Sequence, residues 1–233
     1  MSLDLYAKIE PYLDFSQEVH ALHKVFLEHI MTKELDNILD VGCGQGNFLL
    51  NLKLNNLHCL GIDLSQEQIN ICLEQNLPAR CIDLCAVQER YDCLTAIFDV
   101  LNYIPSEHLK SFLHCAYDRL NDGGYFFFDV NTLFGFDEVA QGTLVMDTDD
   151  KFIAVDALYE NSELETKITL FDKKDDTYVK EQSSIIQYYH SVELLQGLLE
   201  QSGFIIESIN SFHLHSDEDA DKLIWICRRC YKE

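Results

Sequence analysis

Gly42, Gly44 and Gly46 stand at alternate positions directly after the apolar run 37–41, Asn-Ile-Leu-Asp-Val. Glycines so spaced remove Cβ atoms, and the bare backbone can then lie against a bound molecule. A dinucleotide loop would read G-x-G-x-x-G, with an acid about 20 residues further on. Asp63, 21 residues after Gly42, supplies the acid, but Asn47 stands where the third glycine belongs. A phosphate-cradling Walker loop fails because no Gly-Lys-Ser/Thr follows. Of a dinucleotide, a phosphate and some other nucleoside-bearing cofactor, the spacing disfavours the first two.

Other reactive residue types are present without the spacing that chemistry needs. Nine cysteines are scattered, several inside apolar runs such as 58–63 and 91–98, where thiols behave as small hydrophobes. The pair Cys227 and Cys230 has no second CxxC to complete a zinc site, so reduced core thiols are expected and no metal. His213 and His215 beside the acidic run 216–221 read as a solvated loop, and Asp-Thr-Asp-Asp at 147–150 lacks the twelve-residue calcium loop. With 17 Lys and Arg against 40 Asp and Glu, the net charge is −23. Phosphate neutralisation dominates nucleic-acid affinity, so RNA, DNA and anionic membranes are disfavoured as partners.

The elements that position the glycine loop follow from periodicity. Apolar runs at 37–41, 58–63, 79–83, 93–98 and 124–130 suit strands buried on both faces of a parallel sheet. Between them lie helical stretches: Ser65 with Gln68 forms a capping box, and Leu109, Phe112, Leu113, Ala116 and Leu120 recur at helical spacing. Asn121-Asp-Gly-Gly124 is expected to stop that helix. From about 143 to 189 the pattern alternates strictly, with turns at Asn161-Ser162 and 174–176, as in an antiparallel meander. A helix from Ser191 closed by Gly203, then two strands, complete the chain, and residues 4–34 form an N-terminal helical segment. No apolar run approaches the ~20 residues of a membrane helix, and the acidic N-terminus is unlike a signal peptide, so a cytoplasmic location is expected.

The stretches LDVGCGQGNF, GIDLS, RCIDL, FDVLNYIP and LNDGGYFFFDV, in that order across 37–130, resemble the class I S-adenosylmethionine-dependent methyltransferases. The meander after the fifth strand and the tyrosine-bearing N-terminus resemble the bacterial small-molecule members of that class. The resemblance implies an α/β, doubly wound, seven-stranded Rossmann-like sheet with an antiparallel last hairpin and an inserted antiparallel β lid. Its expected divisions are an N-terminal helical segment 1–36, a core of 37–134 and 191–233, and a lid, 135–190, on the substrate side. S-adenosyl-L-methionine is the implied cofactor and methyl transfer to a small molecule the implied activity. The loop Gly42, Cys43, Gly44 and Gly46 would lie against the methionine part, with Asp40 reaching its amino acid moiety. Asp63, followed by Leu64, would accept both ribose hydroxyls, and Asp83 with the Leu84 backbone would take the adenine amine. Phe98, Asp99 and Val100 would lie near the sulfonium, and Tyr6 and Tyr12 would close over the cofactor.

Methyl transfer from a sulfonium compels no particular catalytic residue, since a base is needed only for a nucleophile protonated at rest. His190, Tyr103 and Tyr188 are the catalytic candidates, and Asn102, Asn131 and Tyr189 could also face a substrate. A non-catalytic S-adenosylmethionine-binding sensor is the alternative, and a NAD-type oxidoreductase a remoter one.

Overall fold

The computed structural model describes residues 2–13, 16–214 and 219–230. Two helices lead, α1 (Ser2–Ile9) and α2 (Ser16–Thr32). Then β1 (Asn37–Val41), α3 (Asn47–Leu54), β2 (His58–Asp63), α4 (Gln66–Glu74) and β3 (Ala79–Cys81) alternate. The pattern continues through β4 (Tyr91–Ala96), α5 (Ser106–Arg119) and β5 (Leu120–Asn131). Four antiparallel strands follow, β6 (Gly142–Asp147), β7 (Lys151–Glu160), β8 (Glu163–Lys174) and β9 (Thr177–Tyr188). Helix α6 (Val192–Gln201) and strands β10 (Phe204–Phe212) and β11 (Lys222–Arg229) return the chain to the main sheet.

That sheet has seven strands in the order β10-β11-β5-β4-β1-β2-β3, and β11 alone runs antiparallel to the others. Both its faces are covered, as continuous apolar strands require. In β5 the alternation sorts the aromatics: Phe126 and Phe128 join Leu109, Leu113, Leu195 and Leu199 on the α5–α6 face, while Phe127 joins Leu22, Phe26 and Leu49 on the α2–α3 face. The second sheet, β6-β7-β8-β9, is the inserted β lid. Its inner face buries Ile153, Ile168, Leu170 and Ile185 against Leu5, Ile9 and Leu13, so the N-terminal segment is clamped between lid and core.

Local signals account for most boundaries. Ser65 caps α4 by accepting from Gln68 N at 3.3 Å, and Ser191 caps α6 by accepting from Leu194 N at 3.2 Å. Three expectations are corrected. Helix α5 does not run to the Asn121–Gly124 turn but ends at Arg119. The buried guanidinium of Arg229 donates to Tyr117 O at 2.8 Å and Leu120 O, satisfying the last carbonyls from a distant strand. Asn121–Gly124 instead forms an irregularity at the start of β5, opposite the register shift between Tyr91 and Cys93. The third strand stops at Cys81, because Asp83 turns the chain by accepting from Cys85 N at 2.8 Å. Not all thiols are reduced: Cys85 and Cys115 form a disulfide that joins this turn to α5.

Candidate functional site

A cavity of about 1170 Å³ opens beyond the carboxyl ends of β1, β2 and β4, where the strand order reverses. Open α/β sheets bind ligands at this position because the loops there diverge to opposite faces. The glycine loop forms its floor. Gly42 N and Cys43 N both donate to Ile62 O, at 2.8 and 3.0 Å, folding the loop back over β2. All three loop glycines have positive φ, between 52° and 84°. A Cβ on Gly42 would meet Val100 Cγ2 at 2.7 Å, whereas one on Gly44 would meet nothing within 4 Å and project into open space. Gly46 does not line the cavity; it precedes α3 and packs against Leu77 and Cys72.

Three acids follow the strands. Asp63, at the end of β2, accepts from Gly44 N at 3.1 Å on Oδ2 and from Ser65 N at 2.8 Å on Oδ1. The backbone thus fixes both oxygens of a carboxylate that lines the cavity. Burial raises the Asp63 pKa against those backbone bonds. Asp40 lies deeper, accepting from Thr95 Oγ1 at 2.7 Å, and burial pushes its pKa up to about 7. Asp83, Leu84 and the exposed Leu64 line the opposite end.

After β4 the chain makes a strained turn. Phe98 and Asp99 have φ of 64° and 62°, a left-handed conformation costing non-glycine residues on the order of 1–3 kcal/mol each. Asp129, fully buried on β5, accepts from Phe98 N at 2.7 Å and Asp99 N at 3.3 Å. Buried Lys222 donates to Asp129 Oδ2 at 3.0 Å, to Asn131 Oδ1 at 2.9 Å and to Asp99 Oδ1. Burial works against the ammonium, but the two carboxylates outweigh it and keep Lys222 charged.

The roof comes from distant segments. Tyr6 of α1, Tyr103 after β4 and Ile185 and Ile186 of β9 line the cavity, and burial raises both tyrosine pKa values. Gln45 Nε2 donates to Ala7 O at 3.1 Å and Glu10 Oε2 at 2.9 Å, tying the roof to the glycine loop. His20 and His23 of α2 form a side wall. His23 faces Asn51 at 3.1 Å, and burial pushes its pKa down to about 4, leaving a neutral imidazole. Since the Asn51 amide nitrogen can only donate, His23 Nδ1 accepts and Nε2 carries the proton. Glu10, His23, Gln45 and His108 also line the cavity without a signal in the sequence, and so do Gln68 and Phe112, which the sequence offers only as helix residues. Only the i, i+3 spacing of His20 and His23 carried a local hint.

Several candidates lie elsewhere. His190 is buried, with Nε2 donating to Leu101 O and Ile104 O, both at 3.1 Å, and does not line the cavity. Tyr188 is also outside; its carbonyl accepts from Asn102 Nδ2 at 2.9 Å. Asn102 Oδ1 accepts from Asn131 N at 3.0 Å, so both asparagines are spent on structure. Tyr12 is exposed near Lys151, and Tyr189 packs on Phe136. His213 is exposed, while His215 lies outside the described residues.

Comparison with known proteins gives one family. The model of the methyltransferase domain matches residues 14–209. A Geobacillus sp. (strain WCH70) protein named as a candidate methyltransferase is 24% identical over 188 residues, 75% of this chain and 76% of that one. The fold is similar to a S-adenosylmethionine-dependent methyltransferase from Clostridium acetobutylicum ATCC 824, with TM-score 0.79 and 21% identity over 97% of this chain and 99% of that one. It is also similar to the S-adenosylmethionine-bound amino pentose methyltransferase of Micromonospora echinaspora, with TM-score 0.69 and 13% identity over 90% and 91%.

Proposed function

This chain belongs to the methyltransferase domain family and is a S-adenosylmethionine-dependent methyltransferase, and on that premise we propose that its methyl acceptor is a small molecule. The observation that carries the reading is the geometry of Asp63. Its oxygens are tied one each to the glycine loop and to the start of α4, and the carboxylate lines the cavity. That arrangement fits a ribose diol, and the open space above Gly44 fits a chain lying on bare backbone.

The remaining roles follow in the same proposal. Gly42, Cys43 and Gly44 support the methionine portion, with Asp40 behind them; Asp83, Leu84 and Leu64 face the adenine. Phe98, Asp99 and Val100 flank the reacting end, while Tyr6 and Tyr103 close it from the roof side. Residues 37–134 and 191–233 serve as the cofactor core, 1–36 as a cover and 135–190 as the acceptor-side lid.

Bound S-adenosylmethionine supplies a methyl already activated on a sulfonium cation. What this chain must do is hold a nucleophile in line and exclude water, and positioning alone contributes up to ~7–11 kcal/mol. The apolar Ile185 and Ile186 of the lid and the Phe98 and Phe112 rings serve the exclusion. His20, on the cavity wall, is better placed than His190 to receive a proton. The clamped roof favours a compact acceptor over a polymer, and a net charge of −23 supports the absence of nucleic-acid and anionic membrane partners. No helix among the described residues is long and apolar enough to cross a membrane, and we place the activity in the cytoplasm.

Release of S-adenosylhomocysteine in a screen of small metabolites tests the reading. Turnover with a metabolite supports it. Methylation of a macromolecule with turnover on none of the metabolites would overturn it.

A further inference from the structure

The turn after β4 is unlike the other non-glycine left-handed positions. Among the described residues, Glu34, Asn56, Asn76, Asn161, Ser162 and Asp175 also have positive φ, and all of these lie in helix-end or hairpin turns. There such a conformation reverses the chain. Phe98 and Asp99 reverse nothing: they bend the chain between β4 and the short turn Val100–Tyr103, on the cavity wall. Their conformation is held from behind by the two oxygens of Asp129, one for each backbone N–H. Lys222, placed by its register opposite Asn131, closes the arrangement by contacting Asp129, Asn131 and Asp99.

A buried lysine with two carboxylates is a poor way to stabilise a core, since apolar side chains of similar volume often do as well or better. Here an apolar residue in place of Asp129 would leave the Phe98 and Asp99 N–H groups without acceptors, and one in place of Lys222 would leave Asp129 without its buried counter-charge. The consequence would be felt in the cavity. A Val100 methyl lies 2.7 Å from where a Cβ on Gly42 would be, so this turn sets the width of the cleft between the β1 and β4 loops. The Phe98 ring meets His23 edge-on at 5.9 Å across the same cleft.

Resting on the cofactor site assigned above, we propose that Asp129 and Lys222 are positioning residues for methyl transfer. They touch neither cofactor nor acceptor, and act by holding the Phe98–Val100 turn in its strained, binding-competent form before any ligand arrives.

The test uses the full chain, its Asp129→Asn and Lys222→Met variants, and S-adenosylhomocysteine as the probe in calorimetry. If the competent turn falls to roughly 1–10% of the population, the apparent Kd rises about 10- to 100-fold at a stoichiometry still near one. A role confined to stability would lower the melting temperature and the stoichiometry yet leave Kd within about threefold, and that result overturns the proposal. Where neither variant folds, amide exchange on the unmutated protein decides. Phe98 and Asp99 N–H protected equally without and with S-adenosylhomocysteine supports a preformed clamp, and protection appearing only with ligand refutes it. Asp63→Ala separates the two readings. Lost affinity there with unchanged affinity in both clamp variants sinks the clamp alone, whereas unchanged affinity in Asp63→Ala sinks the site and the clamp with it.

Discussion

Removing the Asp63 carboxylate tests the cofactor site most directly, and the structure sets the size of the effect. In Asp63→Ala the ligand loses two charge-assisted hydrogen bonds, each contributing about 1.5–3 kcal/mol. The sum, about 3–6 kcal/mol, corresponds to roughly 10²- to 10⁴-fold weaker binding. The fold is also affected, because Gly44 N and Ser65 N lose their acceptor. Gly44 N lines the open cavity and can turn to water, so the stability cost stays near one unsatisfied donor, about 1–3 kcal/mol. For a chain of 233 residues that is a melting shift of about 2–12 °C. Calorimetry with S-adenosylhomocysteine reads the first effect and thermal unfolding the second. A 2′,3′-dideoxy analogue sharpens the assignment: it should bind the unmutated protein weakly and the variant no worse than S-adenosylhomocysteine does. An Asp63→Ala protein that is folded and binds S-adenosylhomocysteine within threefold of the parent would refute the ribose role.

The two loop glycines should part company. Gly42→Ala drives a Cβ into Val100 and should lower stability by about 2–4 kcal/mol in urea unfolding, whereas Gly44→Ala should cost about 1–2 kcal/mol yet weaken S-adenosylhomocysteine binding at least tenfold. Two buried groups should titrate in opposition. The raised Asp40 pKa stabilises the fold below the unfolded value, and that stability, about 4 kcal/mol, is lost as pH climbs from about 4 to about 7. The lowered His23 pKa makes stability rise by about 3 kcal/mol from pH 4 to 6.5. Urea unfolding of Asp40→Asn across that range should expose the rising slope and His23→Phe the falling one; parallel profiles in both would count against the burial of these groups. Alkylation of the denatured, unreduced chain should label seven cysteines, since Cys85 and Cys115 are bridged. Reduction should lower stability by about 3–4 kcal/mol for a closed loop of 30 residues. Nine labelled cysteines in carefully unreduced protein would remove the bridge.

What the sequence made legible was local. The glycine loop, Asp63 and the capping box at Ser65 each depend on residues within one strand–turn–helix, so type and spacing carried them. Apart from the early end of β3, which Asp83 sets locally, the misreadings share one cause, a partner far along the chain. Asn121–Gly124 resembles a helix stop until Arg229 is seen capping the helix two residues earlier. Lys222 has no signal in the sequence, because only the β5–β11 register buries it beside Asp129. Cys85 and Cys115 meet because the turn after β3 packs on α5. His190 invites a catalytic reading by lying between the lid and α6, but the carbonyls of Leu101 and Ile104 already hold it.

The same distinction explains why the cofactor is readable and the acceptor is not. The residues assigned to the nucleoside stand at or just beyond the ends of β2 and β3, which follow β1 in the main sheet. The rest of the lining comes from Tyr6 and Glu10, from His20 and His23, from His108 and Phe112, and from Ile185 and Ile186, and we propose that part of it receives the acceptor. These pieces come together because the lid's Ile153, Ile168 and Leu170 bury the apolar face of α1. A displaced sulfonium methyl demands a shape rather than a residue type, and shape is what widely separated segments make jointly. Substitutions on the α1 face that docks on the lid, such as Ile9→Ala, should therefore alter acceptor KM more than S-adenosylhomocysteine affinity. An equal loss in both would mean that the roof belongs to the cofactor instead.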